Sequence, residues 1–118
     1  MKIYNVVPIG KPRMTRADKW NKRPGVLRYQ AFCDHVCLLG VKLSEVNSHV
    51  TFILPMPKSR SKKKRAEMNR KPHQSKPDKD NLEKALLDAL FEDDAHLWDL
   101  RVTKLWGEVG QIIIREIN

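Results

Sequence analysis

The run "HVTFILPM", residues 49–56, is β-branched and apolar with almost no polar interruption. Such a run reads as a central strand of a sheet, and Pro55 and Pro57 close it. The other elements have to be arranged around it. Residues 2–9, "KIYNVVPI", are β-prone, and Pro8 ends that strand or confines it to an edge. "LRVTKLWGE" (100–108) and "QIIIREIN" (111–118) read as two further strands, joined near Val109-Gly110 as a hairpin.

Two segments carry helical periodicity instead. Between Val26 and Leu39, the residues Tyr29, Phe32, Cys33, Val36 and Cys37 recur at i, i+3, i+4, i+7 and i+8, with Gly40 as the stop. In "DKDNLEKALLDAL", the residues Leu82, Ala85, Leu86, Ala89 and Leu90 follow the same period, from a start near Asp78–Asp80 to an end near Leu90. The expectation is an α+β fold: one small domain over residues 1–118, with a mixed sheet of about four strands and two helices on one face. Cys33 and Cys37 share the helix face and read as small buried hydrophobes of a reducing compartment. No His or Cys partners stand at zinc-ligand spacing.

No run approaches 18 apolar residues, and the N-terminus lacks a signal-peptide core, so a soluble intracellular protein is expected. Charge is unevenly spread. Residues 1–76 hold 18 basic and 4 acidic side chains, net +14, whereas residues 77–118 hold 5 basic and 10 acidic, net −5. The basic part favours a polyanionic partner through phosphate contacts and counterion release. Its cations fall in two stretches. "GKPRMTRADKWNKRPG" reads as a loop or arm offering Lys11, Arg13, Arg16, Lys19, Lys22 and Arg23, with Trp20 able to stack or pack. "KSRSKKKRAEMNRKPHQSKP", residues 58–77, offers Lys58, Arg60, Lys62, Lys63, Lys64, Arg65, Arg70, Lys71 and Lys76. A short helix over Lys62 to Asn69 is possible there, but a solvated flexible loop is the default for such a charge run.

The acidic segment that follows has a bland explanation and a chemical one. Asp80 with Glu83 fits a capping box, and "EDD" fits a solvated turn after the helix. Against that, Asp78 and Asp80 alternate on an extended approach to the helix, and Lys84 rises from the same face one turn later. Asp93 and Asp94 follow at a distance from which a turn can bring one of them back. Clustered carboxylates repel unless a cation neutralises them, and hard oxygen ligands suit Mg²⁺ or Mn²⁺. Metal-dependent phosphodiester cleavage and a non-catalytic nucleic-acid-binding module with a structural acidic patch both remain open on these grounds. The PD-(D/E)xK nuclease pattern fails: Pro77-Asp78 is present, but Leu82 stands where an acid should precede Lys84.

The pattern D-K-D-N-L-x-K-A-L-L-D-A-L followed by D-D-A-H resembles the core of the RusA-type Holliday-junction resolvases, particularly the phage-encoded forms. "GKPRMTRADKW" and the two C-terminal strands are similar too, so the resemblance spans nearly the whole chain. It implies a small homodimer that cuts opposing strands of a four-way DNA junction symmetrically with Mg²⁺ or Mn²⁺. That implies work in recombination, repair or phage DNA processing, in the cytoplasm and nucleoid of a bacterial or phage-infected cell. No membrane and no small-molecule cofactor is implied. Carried over by position, the catalytic and metal-binding aspartates are Asp78, Asp80 and Asp94, with Lys84 as the catalytic lysine. Asp93 either assists at the metal or only shapes the turn. The long basic stretch from Lys58 to Lys76 departs from the shorter loop of some members, which leaves open whether branched structures other than four-way junctions are accepted.

Overall fold

A computed structural model describes residues 1–13, 23–44 and 47–117. Within them the elements run β1 (Lys2–Tyr4), α1 (Pro24–Leu38), β2 (Ser48–Pro55), α2 (Lys62–Met68), α3 (Lys79–Leu90), β3 (Leu100–Gly107) and β4 (Gln111–Glu116). Four strands form one mixed sheet in the order β1-β4-β2-β3. As its composition requires, β2 is internal, parallel to β3 on one side and antiparallel to β4 on the other.

The alternation along β2 sorts the sheet into two faces. Val50, Phe52 and Leu54 point into the core with Ile112 and Ile114 of β4. They meet Phe32 and Val36 of α1 and Leu82, Ala85 and Leu86 of α3. α1 and α3 therefore lie on one face, as expected, and pack against each other as well. The opposite face carries His49 and Thr51 of β2, Arg101 and Thr103 of β3, and Ile113 and Arg115 of β4.

Several expectations are corrected. The C-terminal strands do not form a hairpin: β3 and β4 are separated by β2, and Glu108–Gly110 passes over the end of β2. Two inter-strand spacings amount to roughly 10 Å, a span three residues can cross. Close packing along this crossing explains its glycines. A Cβ on Gly107 would stand 2.2 Å from Ile53 Cγ2, and one on Gly110 would stand 2.7 Å from Val7 Cα. β1 stops at Tyr4 rather than near residue 9. After it the backbone turns, with the Val6 N–H donating to the Tyr4 carbonyl at 3.0 Å, and Val6 drops into the core.

Among the described residues there are three helices rather than two, because part of the basic stretch 58–77 is helical and the segment after it is docked. Ser61 caps α2, its Oγ accepting from the Lys64 N–H at 3.2 Å. The segment after α2 then runs along the edge of β3. Arg70 N–H donates to the Trp106 carbonyl at 2.8 Å, Trp106 N–H to Lys71 at 3.0 Å, and His73 N–H to Lys104 at 3.1 Å. This backbone pairing, not apolar packing of α2, is what holds a charge run in place; α2 itself buries no residue. Finally, Cys33 is half-buried and Cys37 exposed, because α1 turns Val26, Tyr29, Phe32 and Val36 to the core and leaves the cysteines at the margin of that stripe. Among the described residues no helix is long and apolar enough to cross a membrane.

Candidate active site and nucleic-acid interface

α3 is a helix because its leucines and alanines recur on one face, and that face is buried at Leu82, Ala85, Leu86 and Leu87. Its N-terminus is where the candidate site begins. The N-cap is Asp78, with extended backbone (φ −68°, ψ 151°), and Asp80 sits in the first turn. This replaces the capping box expected of Asp80 and Glu83. The Asp78 carboxylate makes no cap hydrogen bond. Instead Asp78 Oδ2 takes the Lys76 ammonium at 3.1 Å, with both side chains largely exposed. A solvated pair of that kind contributes about 0–1 kcal/mol and leaves the carboxylate exchangeable. Among the described residues, no hydrogen bond or ion pair ties down the side chains of Asp80 or Lys84, and both are exposed. Both positions lie on the first turns of α3, four residues apart, where side chains share a face.

The lead-in to Asp78 is fixed from the sheet. Lys104, half-buried on the helix side of β3, donates from Nζ to the carbonyl oxygens of Ser75 at 2.8 Å and Pro77 at 2.9 Å. Lys104 lies outside the two basic stretches and the acidic segment, so charge patterning does not single it out. The signal was there: in "LRVTKLW" a lysine occupies an inward position, in line with Leu100, Val102 and Trp106, where an apolar side chain is the norm. The N-terminal segment closes on the same place. Lys11 N–H donates to the Asn81 carbonyl at 3.4 Å, and Gly10 leaves room for Asn81, whose Nδ2 would be 2.6 Å from a Cβ there.

Asp93 and Asp94 are placed differently. They follow Phe91, the C-cap of α3, and so lie beyond the far end of the helix. Asp93 Oδ1 accepts from the Ala95 N–H at 2.9 Å, an Asx turn, and the Asp94 carbonyl accepts from Leu97 N–H at 3.0 Å. Asp93 thus shapes the turn. Asp94 has an exposed carboxylate without a hydrogen-bond or ion-pair partner among the described residues. Among those residues no set of three or more His, Cys, Asp or Glu side chains is arranged to hold a metal ion. Asp78, Asp80 and Lys84 thus stand at the N-cap and on the first turns of α3, and Asp94 stands on the turn after it.

The basic residues also divide. Lys58, Arg60, Lys62, Lys63, Lys64, Arg70 and Lys71 are exposed, and no acidic partner engages them among the described residues. Arg65 is tied to Glu108 at 2.9 Å, and Lys76 to Asp78. Lys11 pairs with Asp88 of α3. Arg23 is the N-cap of α1, and its guanidinium donates to the Arg13 carbonyl. Arg16, Lys19, Lys22 and Trp20 lie outside the described residues.

Comparison with known proteins gives one curated relative, an uncharacterized protein, YqaN, of Bacillus subtilis (strain 168). It is 36% identical over 83 residues, covering 62% of this chain and 58% of the relative. The match therefore spans less than two thirds of that relative's length. No solved structure gave a significant match. The family model described as Endodeoxyribonuclease RusA matches residues 4–116, nearly the whole chain, and with it the chain belongs to the RusA endodeoxyribonuclease family.

Proposed function

We propose that the protein is a metal-dependent, structure-selective DNA endonuclease that resolves four-way junctions by paired, symmetric phosphodiester cleavage. The observation that carries this reading is the unspent chemistry at the start of α3. Asp78 caps the helix by position but withholds its carboxylate, with Asp80 in the first turn and Lys84 one turn on. The donors fit a hard cation such as Mg²⁺ or Mn²⁺, since they are oxygens only, and Mg²⁺ commonly takes one or two carboxylates and fills its shell with water and substrate phosphate. When bound, such an ion supplies polarisation of the scissile phosphate and an acidified water.

The chain's own residues do the rest. Asp78 and Asp80 would hold the ion and fix where the phosphate sits. Lys84 would stabilise the negative charge that builds on the phosphoryl oxygens, and Lys104 keeps the Pro77 carbonyl, and so the Asp78 backbone, in place. The exposed cations of α2 and the segment after it would carry the backbone of the branched DNA, and a homodimer would provide the two sites that symmetric cutting needs. Asp94, on the turn that follows α3, would complete the set of carboxylate ligands.

The test is Asp80→Asn with a labelled mobile junction. Cleavage in Mg²⁺ should disappear while binding in EDTA is unchanged or tighter, because a negative charge near phosphate has been removed. A variant that cuts at the wild-type rate sinks the assignment. Salt-dependent binding with no cleavage by the wild-type protein in any divalent ion would favour the non-catalytic module instead.

A further inference from the structure

The face of the sheet turned away from α1 and α3 is not apolar where β2 begins. Its centre there is His49, 8% exposed, with Arg101 and Arg115 as its cross-strand neighbours on either side. The imidazole is wired between two strands. Nε2 lies 2.9 Å from Thr103 Oγ1, and Nδ1 accepts from Arg115 Nε at 3.3 Å. Because Nδ1 accepts, the proton sits on Nε2, which donates to Thr103. The ring is therefore neutral, and burial first, then the charges of Arg101 and Arg115, push its pKa below the ordinary histidine value.

This arrangement is unusual as a purely structural device. A buried neutral imidazole holds one side of a guanidinium and leaves the two NH₂ groups of Arg115 to other acceptors. No carboxylate pairs with Arg101 or Arg115 among the described residues. The nearest acid in sequence on that side, Asp99, spends its Oδ2 on the Asn47 N–H at 3.0 Å. The two arginines flank one residue across two strand spacings, so their backbones stand roughly 10 Å apart. A two-fold contact centred on this patch would crowd the arginines of both copies together with no pairing carboxylate among the described residues to offset them. A polyanion neutralises both.

We propose that this half of the open sheet face is a second phosphate-binding surface, in which Arg101 and Arg115 grip the backbone of one DNA arm and His49 orients Arg115 for it. The surface lies on the side of the sheet opposite α3 and uses none of the cations of residues 58–76. It rests on the reading of the protein as a DNA-acting enzyme, and extends it by giving the substrate a contact remote from the site of cutting.

The experiment measures affinity of the full chain for a fixed four-way junction and for a plain duplex, in EDTA, across 50 to 200 mM salt, roughly the range over which phosphate contacts are lost. Arg101→Gln and Arg115→Gln should each weaken binding several-fold and lower the slope of log K against log salt by about 0.9, the value of one phosphate contact. Arg115→Lys keeps the charge and should restore the slope. Unchanged affinity and slope in both glutamine variants, with wild-type melting, overturns the proposal. So does a shift from dimer to monomer in sedimentation with an unaltered slope, which would make the face a subunit contact. A wild-type protein that binds duplex and junction alike and never cuts refutes the junction-nuclease reading, yet the two arginines are still read on the duplex. One that binds neither refutes both.

Discussion

The Lys104 ammonium lies 2.9 Å from the carbonyl oxygen of Pro77, the residue that leads directly into Asp78. With the second bond to Ser75 at 2.8 Å, one cation from the sheet gathers the backbone that presents Asp78, the first carboxylate of the proposed site. Lys104→Met should leave junction binding in EDTA within about twofold and reduce cleavage by at least tenfold, since misplacement by an ångström costs that much or more. The two carbonyls also lose their donor, at about 1–3 kcal/mol where they are shielded from water. The distinguishing measurement is Mn²⁺ affinity by electron paramagnetic resonance. A positioning role predicts weaker Mn²⁺ binding in Lys104→Met and recovery in Lys104→Arg, whereas a role in stability alone predicts neither.

Lys84 offers the opposite balance. It is exposed on α3 and makes no ion pair among the described residues, so the fold asks little of it. Lys84→Met should melt within about 0.5 kcal/mol of the wild type, the usual range for a surface change. Cleavage should nevertheless fall by about 10² or more, the scale expected for losing one preorganised electrostatic group. Equal cleavage by the variant would remove Lys84 from the site.

The balance of what could and could not be read from sequence follows from the range of each interaction. β2 and α3 were legible because their patterns are local: an apolar β-branched run and a 3.6-residue stripe. The supposed hairpin was not, because Val109-Gly110 has the same turn chemistry whether its strands pair or straddle a third one. The decision belongs to β2, some fifty residues upstream in the chain. Asp78, Asp80 and Lys84 could be grouped from spacing on one helix end, whereas the place of Asp94 depends on which way the chain leaves Phe91. Order in the segment after α2 was hidden for a similar reason: its partners are backbone groups of β3, which leave no trace in side-chain composition.

Two buried histidines make stability depend on acid. His49 and His73 are 8% and 4% exposed, and each has its pKa lowered by burial first, then by neighbouring cations, Arg101 and Arg115 for His49 and Lys104 for His73. His73 packs against Trp106 with ring centroids 4.1 Å apart, and its Nδ1 has no hydrogen-bond partner among the described residues. Folding keeps both rings neutral, so below the unfolded value near 6.5 the unfolded chain binds more protons than the folded one. Stability is therefore full above that pH and falls as pH drops from about 6.5 toward the lower folded values. Thermal midpoints at pH 8 and pH 5 should differ in the wild type, and His49→Gln together with His73→Gln should shrink the difference. A pH response unaltered in the double variant would assign the acid limb to other groups.

The crossing from β3 to β4 makes a sharper claim about two glycines. At Gly110 a Cβ would meet the backbone Cα of Val7 at 2.7 Å and its Cγ2 at 2.8 Å, and a backbone atom cannot swing away as a side-chain tip can. Gly110→Ala must therefore push the segment after β1 outward, where Val6 is buried in the core. Overpacking of this kind costs typically about 1–3 kcal/mol. At Gly25, inside the first turn of α1, the nearest atom is Arg28 Nη2 at 3.8 Å, so alanine has room. There the better helix propensity of alanine should add from a few tenths to about 1 kcal/mol. Urea titration of the two variants separates them by sign. Equal stabilities would mean that Glu108–Gly110 does not pass beneath Val7, and the strand order β1-β4-β2-β3 would need revision.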